Sequence, residues 1–239
     1  MSFPTVSVMD VPFIKATNQA FLKQLQQDID QKQSRFIVTA NPEIVLYARD
    51  HPDYKALIKG ADYITPDGIG IIKASQTLKD PLPERITGYD TMMALLDKAN
   101  AQHLKVYFVG AKPEVIQKVA ARITKDYPGI DLAGYHDGYF KDDTQILADI
   151  QAKQPQLVFA GLGYPKQEFW IHANQNRTQA IWMGVGGSFD VLSGLTKRAP
   201  KFWQDLHLEW FYRLLKEPTR FKRMLAIPKF MHLIQKEKK

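Results

Sequence analysis

A chain of 239 residues that is 45% hydrophobic and 24% charged is long enough to bury a full core and has the composition of an ordinary folded domain, which excludes disordered and fibrous classes. It contains no cysteine, which excludes a disulfide scaffold and a thiolate metal site. The net charge of +7 is uneven: residues 197–239 carry twelve Lys or Arg against four Asp or Glu, so a basic tail follows a neutral body and points to an anionic surface or a polyphosphate partner, lipid or nucleic acid.

In chain order, the opening Met1-Ser2-Phe3-Pro4-Thr5-Val6 lacks the basic region and apolar run of a signal peptide, so export is not expected. No later stretch approaches the ~20 apolar residues of a membrane span, so membrane contact is expected to be peripheral. The D-x-D string Asp28-Ile29-Asp30 lies in an amphipathic helical pattern and reads as a solvated helix face rather than a metal site. Strands are predicted at residues 36–39, 61–64, 106–109, 131–134, 157–160 and 180–183, separated by amphipathic stretches of helical length. This βαβ rhythm predicts an α/β fold, a Rossmann-like and mostly parallel sheet covered by helices. Asn41-Pro42-Glu43 and Pro113-Glu114 mark helix starts, and Gly60 and Gly110 stand where a helix or strand end needs an unhindered residue. The character of the chain changes after Gly194, and from Arg198 onward the strand signals stop. Trp203, Leu206, Trp210 and Leu214 then recur at helical spacing, and Pro218 and Pro228 divide the tail, which predicts an α/β domain over residues 1–195 and a helical basic appendage over 196–239.

Four predicted strand exits carry polar or glycine-rich strings, and open α/β sheets bind ligands at such exits. In Thr39-Ala40-Asn41-Pro42 and Pro66-Asp67-Gly68 the polar residues face a ligand crevice or simply cap the following helices. Gly161-Leu162-Gly163-Tyr164-Pro165-Lys166-Gln167-Glu168 combines close backbone approach with an amide that donates and accepts. Gly184-Val185-Gly186-Gly187-Ser188-Phe189-Asp190 suits a diphosphate on backbone N–H groups, with Asp190 available to a ribose or base edge. Tyr135 and Tyr139 offer rings on which a base such as uracil stacks. In the tail, Arg213, Lys216, Arg220 and Arg223 fall on one face of any continuous helix, beside Trp210, Phe211 and Tyr212. The chain has no G-x-G-x-x-G, P-loop, H-E-x-x-H or G-x-S-x-G string, which weighs against dinucleotide, P-loop, zincin and serine-hydrolase chemistry.

Taken in order, Thr39-Ala40-Asn41-Pro42-Glu43, Pro66-Asp67-Gly68, Glu84-Arg85-Ile86-Thr87-Gly88, Gly163-Tyr164-Pro165-Lys166-Gln167-Glu168, Gly184-Val185-Gly186-Gly187, Arg198-Ala199-Pro200 and Glu209-Trp210-Phe211-Tyr212-Arg213-Leu214 resemble the WecG/TagA/CpsF glycosyltransferases. The ending, with Glu217-Pro218 and Arg220, is most similar to the teichoic acid N-acetylmannosaminyltransferases of that family. The resemblance implies an inverting transfer of N-acetylmannosamine from its UDP donor to the 4-hydroxyl of undecaprenyl-diphosphate-linked N-acetylglucosamine. A related transfer of another UDP-hexosamine, or of its uronic acid, is the alternative. Asp67 matches the family's candidate base; Thr39, Asn41 and Gln167 would hold the sugars. Arg85, Arg213, Arg220 and Arg223 would offset charge on the leaving diphosphate, assisted by the Gly186-Gly187 backbone, so no metal and no other cofactor is expected. The tail's partner would be an anionic membrane surface on the cytoplasmic face of the plasma membrane, not a nucleic acid, and a homo-oligomer stays open.

Overall fold

The computed structural model describes residues 3–205, 209–216 and 225–237. A short antiparallel hairpin of β1 (Thr5–Val8) and β2 (Val11–Ile14) precedes α1 (Asn18–Asp30). The main sheet contains β3 (Arg35–Ala40), β4 (Tyr63–Pro66), β5 (Lys105–Gly110), β6 (Asp131–His136), β7 (Leu157–Gly161) and β8 (Ile181–Gly184), six parallel strands in the order β4-β3-β8-β7-β5-β6. All six predicted strands are present, shifted at most by two residues at their starts, and the α/β parallel sheet is the expected architecture. The hairpin was not legible, because its turn is Met9-Asp10, both at positive φ (51° and 62°), without the Asn-Gly or Asp-Gly pair that advertises such a turn.

Helices cover both faces. On one lie α2 (Pro42–Asp50), α3 (Pro52–Lys59), α4 (Ile69–Thr77), α7 (Thr144–Lys153) and α8 (Lys166–Asn174), whose Ile44, Val45, Tyr54, Ile71, Ile150 and Ile171 share a core with the hairpin valines. On the other lie α1, α5 (Gly88–Gln102), α6 (Pro113–Asp126) and α9 (Ser188–Leu192), through Leu25, Leu95, Val119 and Phe189. The central strands read as unbroken apolar runs because both of their faces are buried. The predicted helix starts hold: Asn41 caps α2 through a hydrogen bond from the Ile44 N–H, with Pro42 at the first position, and Pro113 opens α6.

One helix face was misread. Asp28 is fully buried, not solvated: it accepts hydrogen bonds from the Tyr63 hydroxyl (2.7 Å) and Gln24 Nε2 (3.0 Å) and lies 3.2 Å from Arg35 Nε. A buried carboxylate needs such partners, and beside Gln24 of the same helix they come from Arg35 of β3 and Tyr63 of β4, which only the folded sheet brings to it.

In the tail, α10 (Lys201–Asp205) and α11 (Glu209–Lys216) bring the Trp203 ring within 6.0 Å of Phe211 and Tyr212. The last helix, α12 (Ala226–Glu237), packs on α2 and α4 by burying Phe230 and Ile234. Pro228 sits in its first turn, where a missing N–H costs nothing. Leu206, Pro218, Arg220 and Arg223 lie outside the described residues.

Candidate functional site

The chain leaves β3 into α2 on one face of the sheet and leaves β8 into α9 on the other, so the two exits diverge and a crevice opens between the carboxyl ends of adjacent strands. The exit of β4 closes one side of it and the turn before α8 the other. The result is a cavity of about 440 Å³ lined by Thr39, Asn41, Asp67, Arg85, Gln167, Gly186, Gly187 and Asp190. Eight of the predicted residues, drawn from five separate segments of the chain, thus meet in one place.

Their contacts form a continuous floor. Asp67 Oδ2 accepts from the Gly88 N–H at 3.2 Å, which fixes the carboxyl at the mouth of β4. A side chain at Gly88 would approach Thr39 Oγ1 to 3.0 Å and press on its side chain, so glycine suits the close start of α5 beside β3. The Thr39 hydroxyl, itself nearly buried, donates to the Gly184 carbonyl (3.1 Å) and ties β3 to the exit of β8. Gln167 is buried and works at both ends of its amide: Oε1 accepts from the Gly186 N–H (3.0 Å), and Nε2 donates to Glu168 Oε1 (2.7 Å). Asn41 spends its Oδ1 on capping α2, so its amide NH₂ is the end left for a ligand. The capping reading and the ligand reading of Asn41 are therefore compatible.

A charged rim lies above this floor. The loop carrying Arg85 is held by the start of α1, where Asn18 Nδ2 donates to the Arg85 carbonyl (3.1 Å) and the Asn18 N–H donates to Glu84 Oε1. Arg85 Nη2 lies 3.6 Å from Glu209 Oε2 in α11. Arg198 forks onto Asp90 with 2.7 and 2.9 Å bonds, stacks over the Tyr89 ring at 4.7 Å and reaches to 3.9 Å from Glu209. Burial alone would raise the Asp90 carboxyl, but the hydrogen bonds from Arg198 and Thr87 outweigh it and hold the group below the ordinary carboxylate value.

Other predicted residues stand apart. Tyr139 does not line the cavity; 70% exposed, it sits on a loop pinned by the Gly138 N–H donating to the Ala111 carbonyl (2.8 Å) and by Lys166 Nζ donating to the Gly138 carbonyl (2.9 Å). That loop caps the exits of β5 and β7, at the same end of the sheet. Tyr135 lies on the edge strand β6, half exposed and away from the cavity. Arg213 belongs to α11, and Arg220 and Arg223 fall outside the described residues. Arg198, Glu209 and Tyr89, to which the sequence assigns no role of their own, also line the cavity, as do Trp210, expected on an apolar helical stripe, and Glu43, expected as a helix-start residue. Arg198 and Glu209 were visible only as members of the quoted strings, because their partners Asp90 and Arg85 are more than a hundred residues away. Among the described residues no three His, Asp or Glu side chains converge as a metal site, and no helix is long and apolar enough to cross a membrane.

Comparison with known proteins gives the same picture over the whole chain. The model of the glycosyl transferase WecG/TagA/CpsF family matches residues 6–239. A protein of Bacillus spizizenii strain W23 is 45% identical over 237 residues, covering 98% of this chain and 92% of that protein. Relatives from Bacillus subtilis strain 168 and Staphylococcus aureus strain MW2 are 41% and 38% identical, each over 98% of this chain and 93% of the relative. All three bear the name N-acetylglucosaminyldiphosphoundecaprenol N-acetyl-beta-D-mannosaminyltransferase.

Proposed function

The chain belongs to the glycosyl transferase WecG/TagA/CpsF family, and on that premise we propose that it transfers N-acetylmannosamine from UDP-N-acetylmannosamine to undecaprenyl-diphosphate-linked N-acetylglucosamine, a step in building the linkage unit of wall teichoic acid. The observation that carries the reading is the convergence of Asp67, Arg85, Asn41 and the Gly186-Gly187 turn on one cavity at the carboxyl end of the sheet. Full-length identity of 38–45% to relatives of that name supports it.

In an inverting transfer the acceptor 4-hydroxyl attacks the anomeric carbon from the side opposite UDP. The new C–O bond forms as the bond to the diphosphate breaks, and the hydroxyl proton passes to Asp67, held in place by the Gly88 N–H. The electron pair leaves on the diphosphate. Arg85 on the rim stabilises that charge, joined by arginines of the tail, while the Gly186 and Gly187 backbone approaches the donor closely because neither glycine projects a side chain into the cavity. Asp190, on the first turn of α9, takes the ribose or base edge, and the exposed Tyr139 stacks on uracil when its loop meets the donor. Countercharge from arginine makes the reaction metal-independent. The enzyme works at the cytoplasmic face of the membrane, held by the basic tail against anionic lipid.

The test is release of UDP from a panel of UDP-sugars with a short-chain lipid-diphosphate N-acetylglucosamine acceptor. Turnover with UDP-N-acetylmannosamine, undiminished by EDTA, is expected. Preference for the corresponding uronic acid would overturn the donor assignment, and activity lost in EDTA and restored by a divalent ion would overturn metal independence.

A further inference from the structure

Glu168 is a fully buried carboxyl group that the transfer reaction does not use, directly behind the cavity. Adjacent side chains on a helix diverge by about 100°. A direct contact between Gln167 and Glu168 therefore exists only because both side chains curl toward the same point under the exits of β7 and β8. There Gln167 Nε2 donates to Glu168 Oε1 (2.7 Å), and Gln167 Oε1 accepts from the Gly186 N–H (3.0 Å). A methyl group at Gly184 would approach Gln167 Nε2 to 2.7 Å, so the amide is wedged against backbone and has no room to tilt.

An amide of this kind has two orientations related by a half turn, nearly identical in shape and opposite in polarity. The observed one makes two hydrogen bonds. The other would set its oxygen against the Glu168 carboxyl and its NH₂ against the Gly186 N–H, replacing both bonds by like-polarity contacts in a dry environment. Shape cannot choose between them. A carboxylate, which only accepts, can.

We infer that Glu168 is a positioning residue: it sets the polarity of the Gln167 amide and, through it, holds the Gly186 N–H and the Gly184–Gly187 turn in the form that lines the cavity. Its other oxygen, Oε2, and the Tyr54 hydroxyl are both buried without a hydrogen bond of good geometry, and they lie near enough to influence each other's ionisation. Burial pushes the Glu168 carboxyl above its ordinary value, against the hydrogen bond from Gln167 Nε2 and the influence of the nearby Tyr54 hydroxyl. Tyr54, on α3, thus stands behind the carboxyl and closes the line Tyr54–Glu168–Gln167–Gly186, which runs from the helical face to the cavity floor.

The inference rests on the transferase reading, and exchanging the two side chains tests it. Gln167→Glu places two acceptors face to face and should lower kcat at least ~10-fold, within the range of coupling between neighbouring polar groups. Adding Glu168→Gln to that variant restores one donor between the two positions with polarity reversed. The carboxylate at 167 then accepts both from the amide at 168 and from the Gly186 N–H, so the double variant should recover at least ~10-fold of the loss. Thermal shift with UDP reports folding and donor binding alongside. A double variant that turns over no faster than Gln167→Glu, or that fails to fold, overturns the inference; so does Gln167→Glu at the wild-type rate. Wild-type protein that UDP stabilises but that transfers nothing to the acceptor would instead sink the transferase reading, and recovery of UDP stabilisation in the double variant would still decide the coupling.

Discussion

At the scale of single residues, the proposed transfer rests on one carboxyl group, Asp67, and its backbone clamp. Asp67→Asn keeps the shape and the hydrogen bond from the Gly88 N–H but removes the proton acceptor. It should cut kcat by ~10²-fold or more, the lower range for loss of a general base, while leaving UDP stabilisation intact. Steady-state rates with UDP thermal shifts check this, and near-normal turnover in the folded variant would remove Asp67 from the role. Gly110 shows the other kind of single-residue constraint. Its φ is +134°, and a Cβ there would lie 2.4 Å from the Gly161 backbone, which cannot move without tearing the β5–β7 ladder. Gly110→Ala should therefore cost about 3 kcal/mol or more, combining backbone strain with overpacking. A urea midpoint near that of the wild type would show that the strand exits yield more than their packing suggests.

At the scale of elements, the segment after α9 is tied to the start of α5 by the Arg198–Asp90 fork. Because the folded-state pKa of Asp90 lies below its unfolded value, the pair's contribution is present above about pH 4 and is lost as the pH falls through the folded value. The Asp90 side chain is 47% exposed, so solvent screening limits the effect to a few tenths of a kcal/mol, at most about 1. Asp90→Asn should accordingly be slightly less stable than the wild type at pH 7 in low salt, and the two melting curves should converge toward pH 3. A gap that widens on acidification would mean that the fork does not stabilise the fold. The elements also show how far a periodic pattern carries. Apart from the half-exposed edge strand β6, the strands of the main sheet were legible because buried parallel strands are largely apolar runs. The β1–β2 hairpin and the buried face of α1 were not, since one depends on an unadvertised turn and the other on Tyr63 and Arg35, which meet Asp28 only in the folded sheet.

At the scale of the whole molecule, positive charge and most of the exposed large apolar side chains fall in the same part of the chain. Among the described residues, Leu195, Phe202, Phe211, Leu215 and Leu225, five of the eight exposed large apolar side chains, fall in or beside the basic tail; Tyr135, Tyr139 and Phe169 are the others. That combination supports docking on anionic lipid rather than on nucleic acid. Binding to vesicles containing an anionic phospholipid should exceed binding to zwitterionic vesicles and weaken with salt. Single changes Arg213→Ala, Arg220→Ala and Arg223→Ala separate docking from catalysis. All three should reduce vesicle binding, and at least one should also lower kcat on a water-soluble acceptor analogue, because countercharge to the leaving diphosphate acts in the rate. Three wild-type rates in the soluble assay would leave the tail as a membrane tether alone.

By itself the sequence determined the α/β class, the six parallel strands and the strand exits that carry polar and glycine-rich strings, because hydrophobic period and turn chemistry are local properties written within a few residues. The same locality let Asn41 be read as a cap and Asp67 as a residue beyond a strand, without deciding whether either faced a ligand. Only the tertiary structure decided that these exits share one cavity, that Arg198 and Glu209 close its rim, and that Gln167 serves the Gly186 turn from behind while leaning on Glu168. Strand order is set by which helices fill which face of the sheet. It is a global packing solution, and residues more than a hundred positions apart become neighbours only once it is reached.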